Sequence, residues 1–175
     1  MPSNLANKWI LITGASSGFG AAAARAFGTE RARLLLGARR VDRLEKVAAE
    51  ARQAGAPAAH CHALDVSKTA SVEDYIQWVR THTDKLDVLI NNAGGALGLE
   101  PVAQGKDEDW EGMMQSNVLG VLRMTRAALP LMLNNPGSYI INIGSVAGRV
   151  AYEGGAAYCA AKAGELQITR ALRLE

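Results

Sequence analysis

Short, continuously apolar runs alternate with amphipathic stretches along the whole chain. The runs "KWILITG", "ARLLLGARR", "AAHCHALDV", "LDVLINNAGG" and "SYIINIGS" largely lack the apolar–polar alternation of a half-exposed strand. They therefore predict strands buried on both faces. Between them, "GAAAARAFG" is alanine-rich and predicts a helix. "DRLEKVAAEARQAG" predicts an amphipathic helix closed by Gly55 and Pro57. "VEDYIQWVRTH" predicts a third helix, with Ser67 or Ser71 available to cap it. "DEDWEGMMQSNVLGVLRMTRAALPLML" predicts one long helix, whose stripe of Trp110, Met113, Met114, Val118, Val121, Leu122, Thr125, Leu129 and Met132 recurs at intervals of three and four. A last helix is expected from about Glu153 onward. Strands alternating with helices mean βαβ units, and hence a doubly wound parallel α/β sheet.

Composition narrows the function classes. At 175 residues the chain fits a single domain, 1–175, able to bury a real core. No repeat, low-complexity tract or linker divides it. A net charge of +2, with basic residues scattered, gives no footprint for nucleic acid or an anionic membrane. No apolar run approaches the roughly 18 residues of a membrane span. The amino end, "MPSNLANKWILITGA", lacks the pattern of a signal peptide. Cys61 and Cys159 suggest no disulfide framework, so a reduced, cytoplasmic setting is expected.

The first strand runs into "TGASSGFG", Thr13 to Gly20, which opens the first helix. Glycines let a backbone approach an anion, and a helix N-terminus offers free N–H groups and partial positive charge. Gly14, Gly18 and Gly20 are spaced differently from the G-x-G-x-x-G fingerprint, and the lysine of a nucleotide-triphosphatase loop is absent. The turn nonetheless occupies the first βα unit, where a Rossmann-like fold holds pyrophosphate. The second strand ends in Arg39 and Arg40 rather than an acidic residue. Arginine pairs with a phosphate in a planar fork, so a 2′-phosphate is favoured over a free ribose hydroxyl, and NADP over NAD. Asp65, at the end of the third strand, could bond an adenine amino group or serve as a cap.

Three polar positions stand in apolar places. Asn117 falls on the stripe of the long helix, where its amide either satisfies neighbouring backbone or holds a water or backbone group in a site. Ser145 follows the fifth strand, where open α/β sheets bind ligands; many such serines are only caps. No G-x-S-x-G elbow surrounds it, which argues against a serine hydrolase. Tyr158 and Lys162 are one helical turn apart among small residues. A phenol's ordinary pKa of about 10 suits it poorly as a base, and a neighbouring ammonium favours its ionised form. His60 and His62 flank Cys61 in a strand and, lacking further ligands, read as edge-strand side chains rather than a metal site; Cys159 reads as a small filler.

Taken together, "TGASSGFG", "NNAG" (Asn91 to Gly94), Asn117, Ser145, Tyr158 and Lys162 resemble the signature set of the classical short-chain dehydrogenases/reductases. The resemblance spans essentially the whole chain. It implies an oxidoreductase that interconverts an alcohol and its carbonyl. Tyr158 would be the general acid/base, Lys162 its partner and a ligand of the nicotinamide ribose, and Ser145 the group that orients the substrate. Asn117 would hold a water in a proton relay. Gly14, Ser16, Ser17, Gly18, Phe19, Gly20, Arg39, Arg40, Asp65, Val66, Asn91, Ala93, Gly94, Tyr158 and Lys162 would contact the cofactor. "NNAGGALGLEP", "DWEGMM", "MTRAALP" and "IINIGSVAG" are similar to the NADP-dependent branch acting on serine and other 3-hydroxy acids. The resemblance also implies a homodimer or homotetramer, and roughly two further strands beyond the Tyr158 helix. The chain is accordingly expected to be the amino-terminal portion of a longer protein, with a non-catalytic NADP(H)-binding module as the alternative reading.

Overall fold

The three central strand segments are buried as their two-sided apolarity requires. The two outer ones, expected to be buried as well, are largely half-exposed because each has a neighbour on one side alone. In the computed structural model, which describes residues 4–175, β1 (Trp9–Thr13) is buried at every position. The amino-terminal reading of residues 1–3 lies outside the described residues. β2 (Arg33–Ala38) and β4 (Val88–Asn91) flank β1 in parallel, with Ile12 opposite Leu36 on one side and Ile90 on the other. β3 (Ala58–Ala63) and β5 (Tyr139–Asn142) complete a parallel sheet of order β3-β2-β1-β4-β5. The chain thus moves outward from β1 to β3 and then returns to the other side of β1. That reversal opens a crevice beyond the carboxyl ends of β1 and β4, the place where such sheets take ligands.

The helices are α1 (Gly18–Thr29), α2 (Val41–Ala54), α3 (Thr69–Arg80), α4 (Asp107–Met114), α5 (Gly120–Met132) and α6 (Ala156–Ala171). Alternate strand residues serve opposite layers. Ile10, Ile12, Leu34 and Leu36 pack with the buried faces of α1 and α2, whereas Leu11, Leu35 and Leu89 pack with Tyr75, Met124 and Leu131 of α3 and α5. The alanine-rich face of α1 exists because α2 crosses it closely. A methyl group at Gly28 would lie 2.6 Å from the Ala51 carbonyl oxygen.

Several details depart from the sequence expectation. The long helix is continuous, but a π-helical turn, Gln115–Leu119, interrupts it between α4 and α5 and carries Asn117. Neither Ser67 nor Ser71 caps α3. The position before the helix is Lys68, with no side-chain cap, because the helix starts at Thr69: Ser67 falls one residue too early and Ser71 inside the first turn. The Ser71 hydroxyl instead accepts from the Asp65 N–H at 2.9 Å. α6 begins at Ala156 rather than Glu153. As expected, β3 is an outer strand, and His60 and His62 lie on it, against Trp9, Trp78 and His82. β5 is the other outer strand, with Tyr139 and Ile141 left open on the α1–α2 side of the sheet. Among the described residues no helix is long and apolar enough to cross a membrane.

Candidate functional site

The glycine turn is braced from β4. The Thr13 hydroxyl donates to the Ile90 carbonyl and accepts from the N–H groups of Asn92 and Ala93, both at 3.0 Å. Asn92 Nδ2 donates to the carbonyls of Thr13 and Gly14, at 2.9 and 3.2 Å. This packing explains two glycines. A methyl group at Gly14, whose φ is +66°, would sit 2.8 Å from Ala93 Cα, and one at Gly20 would sit 2.5 Å from Asn92 Nδ2. Gly18 differs: its φ is +54° and nothing lies within 4 Å of where its Cβ would be. Its role is conformational, and it leaves the mouth of the turn open.

At that mouth α1 begins without a side-chain cap at Ser17 and without an acidic residue in its first turn. Its leading N–H groups have no intrahelical acceptor. Arg40, from the end of β2, donates through Nη2 to the hydroxyls of Ser16 at 3.1 Å and Ser17 at 2.7 Å. A guanidinium, two hydroxyls and an uncapped helix start therefore converge on one opening. The donor set fits a phosphate. Arg39 is exposed beside it and helps hold Asp65 in its charged form.

Asp65 is committed to its own turn. Its Oδ1 accepts from the Ser67 hydroxyl at 2.6 Å and the Ser67 N–H at 3.0 Å. Burial opposes the charge, but these bonds, with Arg39 and Lys68 nearby, carry the carboxyl below its ordinary value. The helix cap read from the sequence is not formed, since α3 starts after Lys68 without a side-chain cap; Asp65 holds the turn before it instead. Val66 is buried in the core, where Gly120 passes close to it. Asn91 is also buried, its Nδ2 donating to Asn142 Oδ1 at 2.9 Å and Thr125 Oγ1 at 3.2 Å. Its own Oδ1 is buried without a hydrogen-bond partner among the described residues.

Asn117 is 1% exposed, and its amide clamps the loop after β4. Nδ2 donates to the carbonyls of Gly95 at 3.0 Å and Met113 at 2.9 Å, while Oδ1 accepts from the Gly95 N–H at 3.1 Å. Gly94, with φ of +154°, runs so close that a Cβ there would collide with Asn117 Oδ1. Ser145 is exposed at the end of β5, and its Oγ accepts from the Ala147 N–H at 3.2 Å, capping a short 3-10 turn. Tyr158 is half-buried in the first turn of α6. No described residue hydrogen-bonds its hydroxyl. Lys162, one turn on, is 8% exposed, and its ammonium donates to the Ile143 carbonyl at 2.8 Å and to Glu165 Oε2 at 2.6 Å. A cavity of about 310 Å³ opens here, lined in part by Asn142, Ser145, Arg149, Lys162 and Glu165.

Sequence reading missed Thr13, Asn92 and Glu165. The signal for Glu165 was its place three residues after Lys162; the partners of Thr13 and Asn92 lie about 80 positions away, beyond any local pattern.

A parallel sheet with this reversal, a glycine turn braced on β4 and a Tyr/Lys helix beside β5 define a dinucleotide-binding class of oxidoreductase fold. The family model described as "short chain dehydrogenase" matches residues 8–175, and the chain belongs to that family. It is 41% identical over 174 residues to an NADP-dependent 3-hydroxy acid dehydrogenase of Schizosaccharomyces pombe, covering 99% of this chain and 67% of that one. Among solved structures, an alcohol dehydrogenase from Thermococcus sibiricus, complexed with 5-hydroxy-NADP, superposes with a TM-score of 0.90 at 34% identity, over 95% of this chain and 70% of that one. The closed form of a serine dehydrogenase complexed with NADP+ gives a TM-score of 0.87 at 37% identity, over 95% and 65%. The chain thus spans about two thirds of the length of these relatives.

Proposed function

We propose that this chain carries the cofactor half and the proton-transfer group of an NADP(H)-dependent oxidoreductase interconverting an alcohol and its carbonyl. The observation that carries the reading is Arg40 bonded to both Ser16 and Ser17 at the uncapped start of α1, on the same side of the sheet as the end of β5. The nicotinamide, when bound, accepts or supplies the hydride. Gly14, Ser16, Ser17, Gly18, Phe19 and Gly20 would line the pyrophosphate, with Arg39 and Arg40 at the 2′-phosphate.

In the oxidation direction Tyr158 Oη takes the proton of the substrate hydroxyl, and in reduction it returns one. Lys162 stands one helical turn on from Tyr158, on the same helix. Ser145 Oγ, exposed at the end of β5, orients the substrate oxygen. Asn117 holds the Gly94–Gly95 backbone in place, and a water on its remaining acceptor capacity is the proposed link in the relay from Lys162. Among substrates, serine and other 3-hydroxy acids come first, because relatives bear those names. Self-association as a homodimer or homotetramer is proposed through the exposed Met114, Leu119 and Leu122 along the α4–α5 run.

The test is Tyr158→Phe. Turnover of a 3-hydroxy acid with NADP should vanish while NADPH affinity stays within about twofold. Persistent turnover would remove Tyr158 from the mechanism. Binding of NADPH by a chain whose native Tyr158 gives no turnover with any alcohol would favour the non-catalytic module instead.

A further inference from the structure

Glu165 is a buried carboxylate that the roles above do not use. At 2% exposure it must be paired or neutral, and the cation within bonding distance is Lys162. Burial pushes its carboxyl above the ordinary range, with the Lys162 ammonium opposing that shift. The backbone at Glu165 is also anchored. The Thr169 hydroxyl donates to the Glu165 carbonyl at 2.9 Å, and Asn142 Nδ2 donates to Thr169 Oγ1 at 2.9 Å. Asn142 is bonded in turn by Asn91, whose Nδ2 also reaches Thr125 on α5. A ladder of side chains therefore ties this turn of α6 to the ends of β5 and β4.

We propose that Glu165 is a positioning residue for Lys162, one that fixes the ammonium at the end of β5 so that a remaining N–H is available to a ligand. The proposal rests on the functional reading of Lys162 given above. An ammonium has three N–H donors. One goes to the Ile143 carbonyl, beyond the end of β5, and one to the Glu165 carboxylate, three residues on along α6. Two fixed acceptors define where the third donor lies; a single acceptor on a chain of four rotatable bonds does not. Arg149 lines the same cavity but makes no ion pair among the described residues, and α4, which packs on α6, contributes Asp107, Glu108, Asp109 and Glu111, none of which bonds Lys162. Glu165 is thus the carboxylate that holds it.

The decisive measurement is the acylation rate of Lys162 by trace acetic anhydride, read by mass spectrometry against exposed Lys46, Lys68, Lys85 and Lys106 in the same sample. Glu165→Gln should raise the relative rate at Lys162 by roughly fivefold or more, because the amine loses its charged anchor. Glu165→Asp should recover most of the protection. Thr169→Ala, which loosens the ladder but keeps the carboxylate, should leave Lys162 near its wild-type rate. An unchanged rate in Glu165→Gln overturns the proposal. So does an equal rise in Thr169→Ala, since loosening of α6 then explains both. A parallel NADPH titration should show Glu165→Gln binding several-fold more weakly. If wild-type chain binds no NADPH, the functional reading fails, while the acylation rates still decide the role of Glu165.

Discussion

Arg40 and Ser17, 23 positions apart, meet at 2.7 Å across the mouth of the glycine turn. The contact joins the end of the second strand to the start of the first helix. It also presents a guanidinium where a helix start leaves N–H groups unsatisfied.

Arg40→Ala should weaken NADPH binding about tenfold, equivalent to about 1.4 kcal/mol, while changing NADH binding much less. Fluorescence titration of both reduced cofactors reads the difference. Equal losses for the two would take the 2′-phosphate away from Arg40.

Gly18 and Gly20 are glycines for different reasons, and alanine separates them. Gly18→Ala meets only the cost of positive φ, about 1–2 kcal/mol, since its surroundings are open. Gly20→Ala forces a methyl group onto Asn92 and the Gly14 carbonyl. It should give the larger drop in melting temperature and release the brace between the turn and β4. Thermal unfolding of the two variants side by side tests the order.

Asn117→Ala removes three bonds to the backbone of Met113 and Gly95. Leaving buried groups unpaired should cost about 1–3 kcal/mol of stability. Hydrogen exchange at the Gly95 amide should accelerate. A stable variant with unchanged exchange would show that the amide does not hold this loop.

Asp87 ties three elements at the far end of the sheet. It accepts from Lys8 Nζ at 2.9 Å, from the Trp9 N–H at 2.8 Å and from Asn135 Nδ2 at 3.2 Å. Burial disfavours its charge, but these bonds win and hold the carboxyl below its ordinary 3.8. The folded state therefore binds this proton less readily than the unfolded one. Its contribution is complete above the ordinary value and is lost as pH falls through the lowered one. Urea unfolding between pH 7 and pH 3 should show wild-type stability falling at the acid end. Asp87→Ala should be weaker by about 2 kcal/mol at neutral pH and lose less on acidification.

Much of the architecture was legible from one dimension. Strands buried on both faces must read as unbroken apolar runs, and "WILI" and "LLLGA" do. The glycines of the first βα turn and the spacing of Tyr158 and Lys162 are local as well, because a turn and a helix face are set by neighbours in sequence. What folding alone decided is which polar groups became partners. Thr13 and Asn92 brace the turn across 79 positions, Asn117 reaches Gly95 across 22, and Asn91 meets Asn142 across 51. Lys162 turned out to be held by Glu165 and by a carbonyl 19 residues upstream, rather than by the tyrosine one turn before it. Hydrophobic periodicity reports which side of an element is dry. It carries no record of which distant donor and acceptor will share the dry space, because that follows from strand order and register.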